Sequence, residues 1–165
     1  EILKNKFFVL LHCVSIYPTP LNFLNLSRIN FLKKFSKYVG YSDHSLSIGN
    51  NRNLACKAAI IFGASYLERH VTILDHDKTK DGIVSIRPKD IKEITDFQFL
   101  SRKDQILYLS DRYKINLRHL NGKEKRTLTK EEILNRNYYK GRFGSQVSKD
   151  GRNFIENWNE VNLNE

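Results

Sequence analysis

Short apolar runs and helical stripes alternate along the first hundred residues of the chain. Residues 7–11 are continuously apolar, and Pro18 and Pro20 follow them. This pattern predicts a strand buried on both faces. In residues 22–35 an apolar side chain recurs every three positions, which predicts a helix whose stripe faces a sheet. The stripe consists of Phe23, Leu26, Ile29, Leu32 and Phe35.

The same order of strand and helix then repeats twice. Residues 37–44 and 65–70 are short apolar segments that end in polar residues, and residues 53–64 form a helical pattern closed by Gly63. Residues 86–97 predict a third helix, with Pro88 in its first turn and an inner face of Ile91, Ile94 and Phe97. The alternation predicts an α/β fold with a parallel sheet and right-handed crossovers.

Three strand–helix units cannot close a barrel of eight strands. The sequence therefore predicts either a small open sheet or the carboxyl-terminal portion of something larger. From Gln98 onward the apolar periodicity weakens, and the clear local signal is a capping box of Thr129 and Glu132. We divide the chain into residues 1–97 and an irregular, partly helical tail of residues 98–165. Its aromatic side chains, Trp158 among them, are predicted to dock on the core or on a partner subunit.

The charge of the chain is strongly positive but evenly spread. The net charge is +10, and residues 1–97 and 98–165 each hold 14 basic and 9 acidic side chains. An even spread favours an anionic small substrate, or solubility alone, over a surface that follows nucleic acid phosphates.

The remaining composition indicates a cytoplasmic protein. Cys13 and Cys56 lie far apart in apolar segments without metal-type spacing, so both are predicted to be reduced core residues. No apolar run is long enough to span a bilayer, and the amino terminus lacks a signal-peptide layout. Because residue 1 is Glu, we expect the chain to begin inside a longer product.

Two histidines follow neighbouring predicted strands. His44 comes after Asp43, and His70 comes after Glu68 and Arg69. Because the carboxyl ends of adjacent parallel strands meet at one edge, both imidazoles could bind one divalent ion. Either histidine could instead be a simple hydrogen-bonding residue. Asp43 could be a ligand, a residue that orients a ligand, or a strand cap.

Four more residues near the predicted strand ends are candidates for substrate binding. Ser15 and Ser42 lie where hydroxyl and backbone N–H groups can hold an anion. Tyr17 could form a wall of a substrate site or belong to a rigid turn with its neighbouring prolines. Asp81 is by default a solvated charge.

Three segments together resemble a known family. LLHCVSIYPTP, VGYSDHS and GASYLERHVT, in this order, resemble the last three barrel strands of the sialic acid synthase family. The resemblance implies a partial (β/α)8 TIM barrel, its last three βα units lying in residues 7–97. It also implies condensation of phosphoenolpyruvate with an N-acetylated hexosamine such as N-acetylmannosamine, with release of phosphate.

The resemblance also assigns roles to residues. It makes His44 and His70 the catalytic metal ligands, for Mn²⁺ or Mg²⁺. Ser42 matches a phosphoenolpyruvate contact, and Ser15 stands where many members have Asn for the same ligand. Tyr17 matches a residue that lines the sugar site. Asp81 falls at a sugar-binding aspartate, with ThrLysAsp here in place of the usual GlyProAsp.

The strands that would complete the barrel, with their catalytic lysines and glutamate, are not in this sequence. We therefore expect a truncated or split synthase that is inactive alone and needs an amino-terminal half. The tail shows no clear antifreeze-like domain. Unpaired strand edges predict a homodimer or aggregation. The alternatives are a non-catalytic relic or interaction protein and, least favoured, a nucleic-acid-binding module. No membrane association is expected.

Overall fold

The computed structural model describes residues 7–139 and the backbone of Ser145–Lys149 and Arg152–Glu156, with side chains through Tyr138. Three parallel strands form its sheet in the order β1-β2-β3. They are β1 (Leu10–Cys13), β2 (Val39–Asp43) and β3 (Tyr66–Arg69). Leu10 is paired with Val39, and Gly40 with Tyr66. The predicted parallel sheet is confirmed.

Helices follow each strand, as the alternation predicts. They are α1 (Ser27–Leu32), α2 (Leu54–Ile61), α3 (Pro88–Gln98), α4 (Arg102–Tyr113) and α5 (Arg118–Asn121). Short 3₁₀ turns occupy Leu21–Phe23, His76–Lys78 and Gly82–Val84. Among residues 7–139, no helix combines the length and the apolar character that a membrane span needs.

The first helix is shorter than predicted. Residues 22–35 do not form one helix, because Asn25 adopts a left-handed φ of 47° between the 3₁₀ turn and α1. The Asn25 side chain donates a hydrogen bond of 2.6 Å to the Phe23 carbonyl. Asn tolerates this conformation and competes for local backbone groups, which a pattern of apolar residues does not reveal.

The predicted ends of the two following helices are confirmed. Gly63, with a φ of 87°, follows Phe62, the residue that caps α2. The Ala64 N–H then bonds the Ala59 carbonyl at 2.9 Å, as in a Schellman motif. Pro88 is the first residue of α3, where its missing N–H costs no helical bond.

One face of the sheet, which we name the covered face, lies beneath helices and carries the core. Val39 and Tyr41 of β2 are each 1% exposed and pack with α2. Small side chains on α2, Ala55, Ala58 and Ala59, are fully buried and let the helix approach the sheet.

The other face of the sheet, which we name the open face, is bordered by exposed side chains. Leu11 and Cys13 of β1 and Tyr66 and Glu68 of β3 are exposed. Between them, Gly40 has no room for a side chain, since an added Cβ would lie 2.5 Å from Leu11 Cδ2. The expectation of a first strand buried on both faces is therefore wrong. β1 begins only at Leu10, and helices cover one of its faces.

The core extends further along the chain than the predicted boundary at residue 97. Leu109 on α4 is fully buried and Leu120 on α5 is 1% exposed, both in the main core cluster. The compact unit accordingly runs to Thr127. Residues 98–127 belong to the folded α/β unit and not to a tail.

Residues 128–165 form a second unit. It contains α6 (Lys130–Tyr139) and an antiparallel pair, β4 (Ser145–Lys149) and β5 (Arg152–Glu156). The capping box is confirmed, since Glu132 accepts from the Thr129 N–H at 2.9 Å and the Thr129 hydroxyl accepts from the Glu132 N–H at 3.2 Å. Trp158, predicted to dock, lies outside the described residues.

Candidate functional site

The carboxyl ends of the three strands lie side by side and hold the segments that follow them in register. Beyond β1 and β2, Thr19 and Ser45 form a parallel bridge, and the Thr19 N–H bonds the His44 carbonyl at 2.8 Å. Beyond β3, the His70 carbonyl accepts from the Ile86 N–H at 2.9 Å. The backbone at both histidines is thus fixed by hydrogen bonds at one edge of the sheet.

His44 contacts a residue from the end of β1 and one from the loop beyond it. The Tyr17 hydroxyl lies 3.0 Å from His44 Nε2, and the two ring centroids are 4.1 Å apart. The Cys13 Sγ lies 3.6 Å from His44 Nδ1. Both ring nitrogens of His44 therefore have a partner from the β1 side of the site.

His70 completes a group of four side chains that the family resemblance assigns to one site. Its ring centroid is 5.4 Å from that of His44 and 6.5 Å from that of Tyr17. Its Nδ1 is 4.0 Å from the Asp81 carboxylate. The structure thus brings together Tyr17, His44, His70 and Asp81, which lie up to 64 positions apart in the sequence.

The surroundings of His44 favour the neutral form of its imidazole. Burial lowers the pKa of its imidazole, and the neighbouring His70 lowers it further, against the raising effect of Asp43. A neutral imidazole keeps a lone pair for a metal ion without first losing a proton. The electrostatics at His44 therefore suit a ligand.

The two predicted serines lie on β2 and in the segment that follows β1. Ser42 sits on β2 and donates a hydrogen bond of 2.6 Å to Glu68 on β3. Ser15 is exposed and follows Cys13 by two residues, a spacing at which extended residues share a face. Glu68 was not among the predicted site residues, although its position two residues before His70 places it on the same side of β3.

Cys13 corrects an expectation. We predicted it to be a buried core residue like Cys56, but Cys13 is exposed and touches His44. Its apolar neighbours suggested burial, whereas the spacing of two from Ser15 and of four from Tyr17 was the signal that placed it on the site side. Cys56 is buried, as predicted.

Asp43 forms an ion pair instead of joining the histidines. Its Oδ2 lies 2.6 Å from Arg69 Nη1, and the two side chains are 0% and 5% exposed. The thiol of Cys56, on α2, donates to the same oxygen at 3.1 Å. Asp43 therefore points to the covered face, and His44, the next residue, to the other.

His44 and His70 are the two residues of this group whose side chains could hold a metal ion through nitrogen. Over the described residues, no group of three or more His, Cys, Asp or Glu side chains is arranged to hold an ion. A cation at His44 and His70 would thus complete its coordination with water or substrate oxygens, as metal centres that activate substrates do.

The chain is similar to several known proteins. N,N'-diacetyllegionaminic acid synthase from Campylobacter jejuni is 36% identical over 90 residues, which are 54% of this chain and 25% of that protein. Pseudaminic acid synthase from the same species is 32% identical over 155 residues, 93% of this chain and 39% of the relative. The crystal structure of spore coat polysaccharide biosynthesis protein SpsE from Bacillus subtilis matches with a TM-score of 0.59 and 28% identity, over 88% of this chain and 41% of that one.

The chain spans between 25% and 41% of the length of these relatives. Residues 2–100, more than half of the 165, match the model of the NeuB family. This range includes all three strands and the residues of the site. The chain belongs to the NeuB family.

Proposed function

We propose that this chain forms part of the active site of a nonulosonic acid synthase that condenses phosphoenolpyruvate with an N-acetylated hexosamine, such as N-acetylmannosamine. The observation that carries the proposal is the convergence of Tyr17, His44, His70 and Asp81 at one edge of a parallel sheet. Membership of a family whose members include legionaminic and pseudaminic acid synthases supports it.

In this proposal the three strands are the last three βα units of a (β/α)8 barrel. The open face supports this, because Leu11 and Tyr66 are 38% and 42% exposed on a sheet whose other face lies beneath helices. Inside a closed barrel such side chains would be covered by facing strands. The covering strands would come from a separate amino-terminal half or, in a homodimer, from a second copy. Light scattering on the chain alone distinguishes a dimer from a monomer.

His44 and His70 would hold the divalent cation, Mn²⁺ or Mg²⁺. The fit rests on two imidazoles whose centroids are 5.4 Å apart and on the lowered pKa of His44, which burial causes. When bound, the cation would supply Lewis-acid polarisation of the sugar carbonyl and orient it.

The remaining residues would bind and orient the substrates. Tyr17 and Asp81 flank the histidines and would hydrogen-bond the hydroxyl groups of the sugar. Ser15 and Ser42 would contribute hydroxyl groups to phosphoenolpyruvate, with Glu68 fixing the Ser42 rotamer through its hydrogen bond. Fixed donors of this kind stabilise charge that develops in the transition state.

The test is phosphate release from phosphoenolpyruvate and N-acetylmannosamine with Mn²⁺. The chain should be inactive alone and active when joined to the five missing βα units of a relative. In the joined protein, His44→Ala and His70→Ala should each abolish turnover, and His119→Ala, on α5 in the helical layer, should not. Turnover by the isolated chain would refute the need for a second half, and none in the joined protein would refute the proposal.

A non-catalytic relic or interaction protein is the alternative that one observation favours. Both ring nitrogens of His44 already have partners, so a cation has to displace Tyr17 or Cys13. Calorimetry separates the two functions. A synthase component takes up Mn²⁺ and loses this uptake in the His44→Ala, His70→Ala double variant, whereas a relic takes up none.

A further inference from the structure

We propose that the buried ion pair of Asp43 and Arg69 is a positioning device that sets the relative placement of His44 and His70. One readout of its test, Mn²⁺ affinity, rests on the proposed function. The other readout, the contacts among the aromatic rings without metal, does not. Asp43 immediately precedes His44, and Arg69 immediately precedes His70. The two are register partners across β2 and β3. The ion pair thus joins the two strands one residue before each imidazole.

Arg69 contacts both the residue before His44 and the residue after it. Arg69 Nη1 lies 2.6 Å from Asp43 and donates to the Ser45 hydroxyl at 3.1 Å, while Nη2 donates to the Ser45 carbonyl at 2.8 Å. Asp43 also accepts from the Ser45 N–H at 2.8 Å. Residues 43 and 45 are therefore both tied to one guanidinium group, and the backbone of His44 between them has little freedom.

Because side chains alternate along a strand, fixing Asp43 and Arg69 also fixes the face to which the two histidines point. Successive residues of a strand point to opposite faces, so a pair fixed on the covered face sends the next residue of each strand to the open face. A slip of one residue would exchange the two faces. The pair therefore specifies which face the imidazoles occupy as well as their separation.

Stability alone does not account for an ion pair at this position. Its side chains are 0% and 5% exposed, and the desolvation of two such charges offsets much of their attraction. Apolar side chains of similar volume are often as stable there. What they lack is the directional fork of a guanidinium group, which fixes orientation through several hydrogen bonds.

The experiment replaces the pair without leaving a buried charge. In the Asp43→Asn, Arg69→Met variant, the asparagine oxygen can still accept from the Ser45 N–H, but the fork is gone. Arg69→Lys is the milder variant, since it keeps the charge and loses the planar fork. The matched control is Lys57→Met, Glu93→Gln, which removes an ion pair in the helical layer with a fully buried lysine. Thermal unfolding of each variant shows at which temperature it is folded.

Two readouts are taken on folded protein. The first is Mn²⁺ affinity, for which we expect about a 10- to 100-fold loss in the double variant and a smaller loss in Arg69→Lys, as for other groups that orient metal ligands. The control should stay within about twofold of the wild type. The second is the set of NOE contacts among the Tyr17, His44 and His70 rings without metal, which should weaken in the two site variants and persist in the control.

Unchanged affinity and unchanged ring contacts in the site variants would overturn the inference. Unfolding of both site variants would also overturn it, because the pair would then act on the whole fold. If the wild-type chain binds no Mn²⁺, the proposed function loses its support, and the ring contacts alone decide whether Asp43 and Arg69 position the histidines.

Discussion

The two faces of the sheet use the same three strands for opposite purposes. On the covered face, Val39 and Tyr41 are almost fully buried beneath α2 and contribute to the core. On the open face, Leu11 and Tyr66 remain exposed, and His44 and His70 meet at its carboxyl edge. The covered face stabilises this chain by itself, whereas the open face presents chemistry whose surroundings we propose to come from another segment.

The difference shows how a strand separates folding from function. Asp43 and His44 are neighbours in sequence, yet one forms an ion pair on the covered face and the other contacts Tyr17. Substitutions of apolar core residues on the covered face should therefore change the free energy of unfolding, whereas substitutions of Asp43 and Arg69 should act on the histidines. Substitutions on the open face should change binding while leaving the stability of the chain nearly unaltered.

The largest loss of stability is expected at Leu109 on α4. Leu109 is fully buried in the main core cluster, so Leu109→Ala should cost about 2–5 kcal/mol through lost burial and a cavity. Urea unfolding followed by circular dichroism measures this cost. Leu107→Ala on the same helix is the control, because Leu107 is 48% exposed. Equal effects at the two positions would mean that α4 is not part of the core.

The sequence did not predict the role of α4, and the reason is physical. Gln105, a polar residue, is buried on this helix, while Ile106 and Leu107 are exposed. The apolar stripe that identifies a core helix is therefore blurred. The three strand–helix units were predictable because their strands are short apolar runs and because α2 and α3 carry recognisable end residues. The break at Asn25 depends on one backbone conformation that periodicity does not encode.

The substitution Lys57→Met should cause the second largest loss of stability. Its side chain is fully buried, donates to Glu93 at 2.5 Å and to the Tyr108 hydroxyl at 3.0 Å, and lies 4.4 Å from the Tyr108 ring centroid. Lys57→Met should lower the free energy of unfolding by roughly 1–3 kcal/mol. This is less than the loss on breaking a fully buried ion pair, because Glu93 is 35% exposed. The Lys57→Met, Glu93→Gln double variant should recover part of this loss. A single variant as stable as the wild type would refute the prediction.

Acid should weaken the helical layer through Asp90. Burial by itself raises the pKa of Asp90, but hydrogen bonds from Arg52, Arg87 and Asn53 and the charge of Arg52 outweigh it and lower the pKa. Because the folded pKa is below the unfolded value of about 3.9, this stabilisation is present above that pH and is lost as the pH falls through the folded pKa. Urea midpoints for wild type and Asp90→Asn should therefore differ at pH 6 and converge toward pH 2. A constant difference would contradict this assignment.

The candidate site was predictable in its members but not in its contacts. His44 and His70 could be selected because each follows a predicted strand, and Tyr17 and Asp81 because the family resemblance assigns them to the sugar site. The link between Ser42 and Glu68, and the contact of Cys13 with His44, depend on strand register and side-chain direction. The sequence of one strand does not show how that strand is registered against its neighbour, so these contacts could not be predicted.

The smallest effect on stability is expected on the open face, at Leu11. Its side chain is 38% exposed and borders Gly40, so Leu11→Ala should change the free energy of unfolding by about 0.5 kcal/mol or less in the free chain, as partly exposed sites do. Val39→Ala is the matched control on the covered face, where loss of two buried methyl-sized groups should cost about 2 kcal/mol. In the protein joined to the five missing βα units, Leu11→Ala should lower the free energy of unfolding by more than it does in the free chain, because the barrel interior would then surround Leu11. If Leu11→Ala costs the same with and without those units, the open face is not a barrel interior.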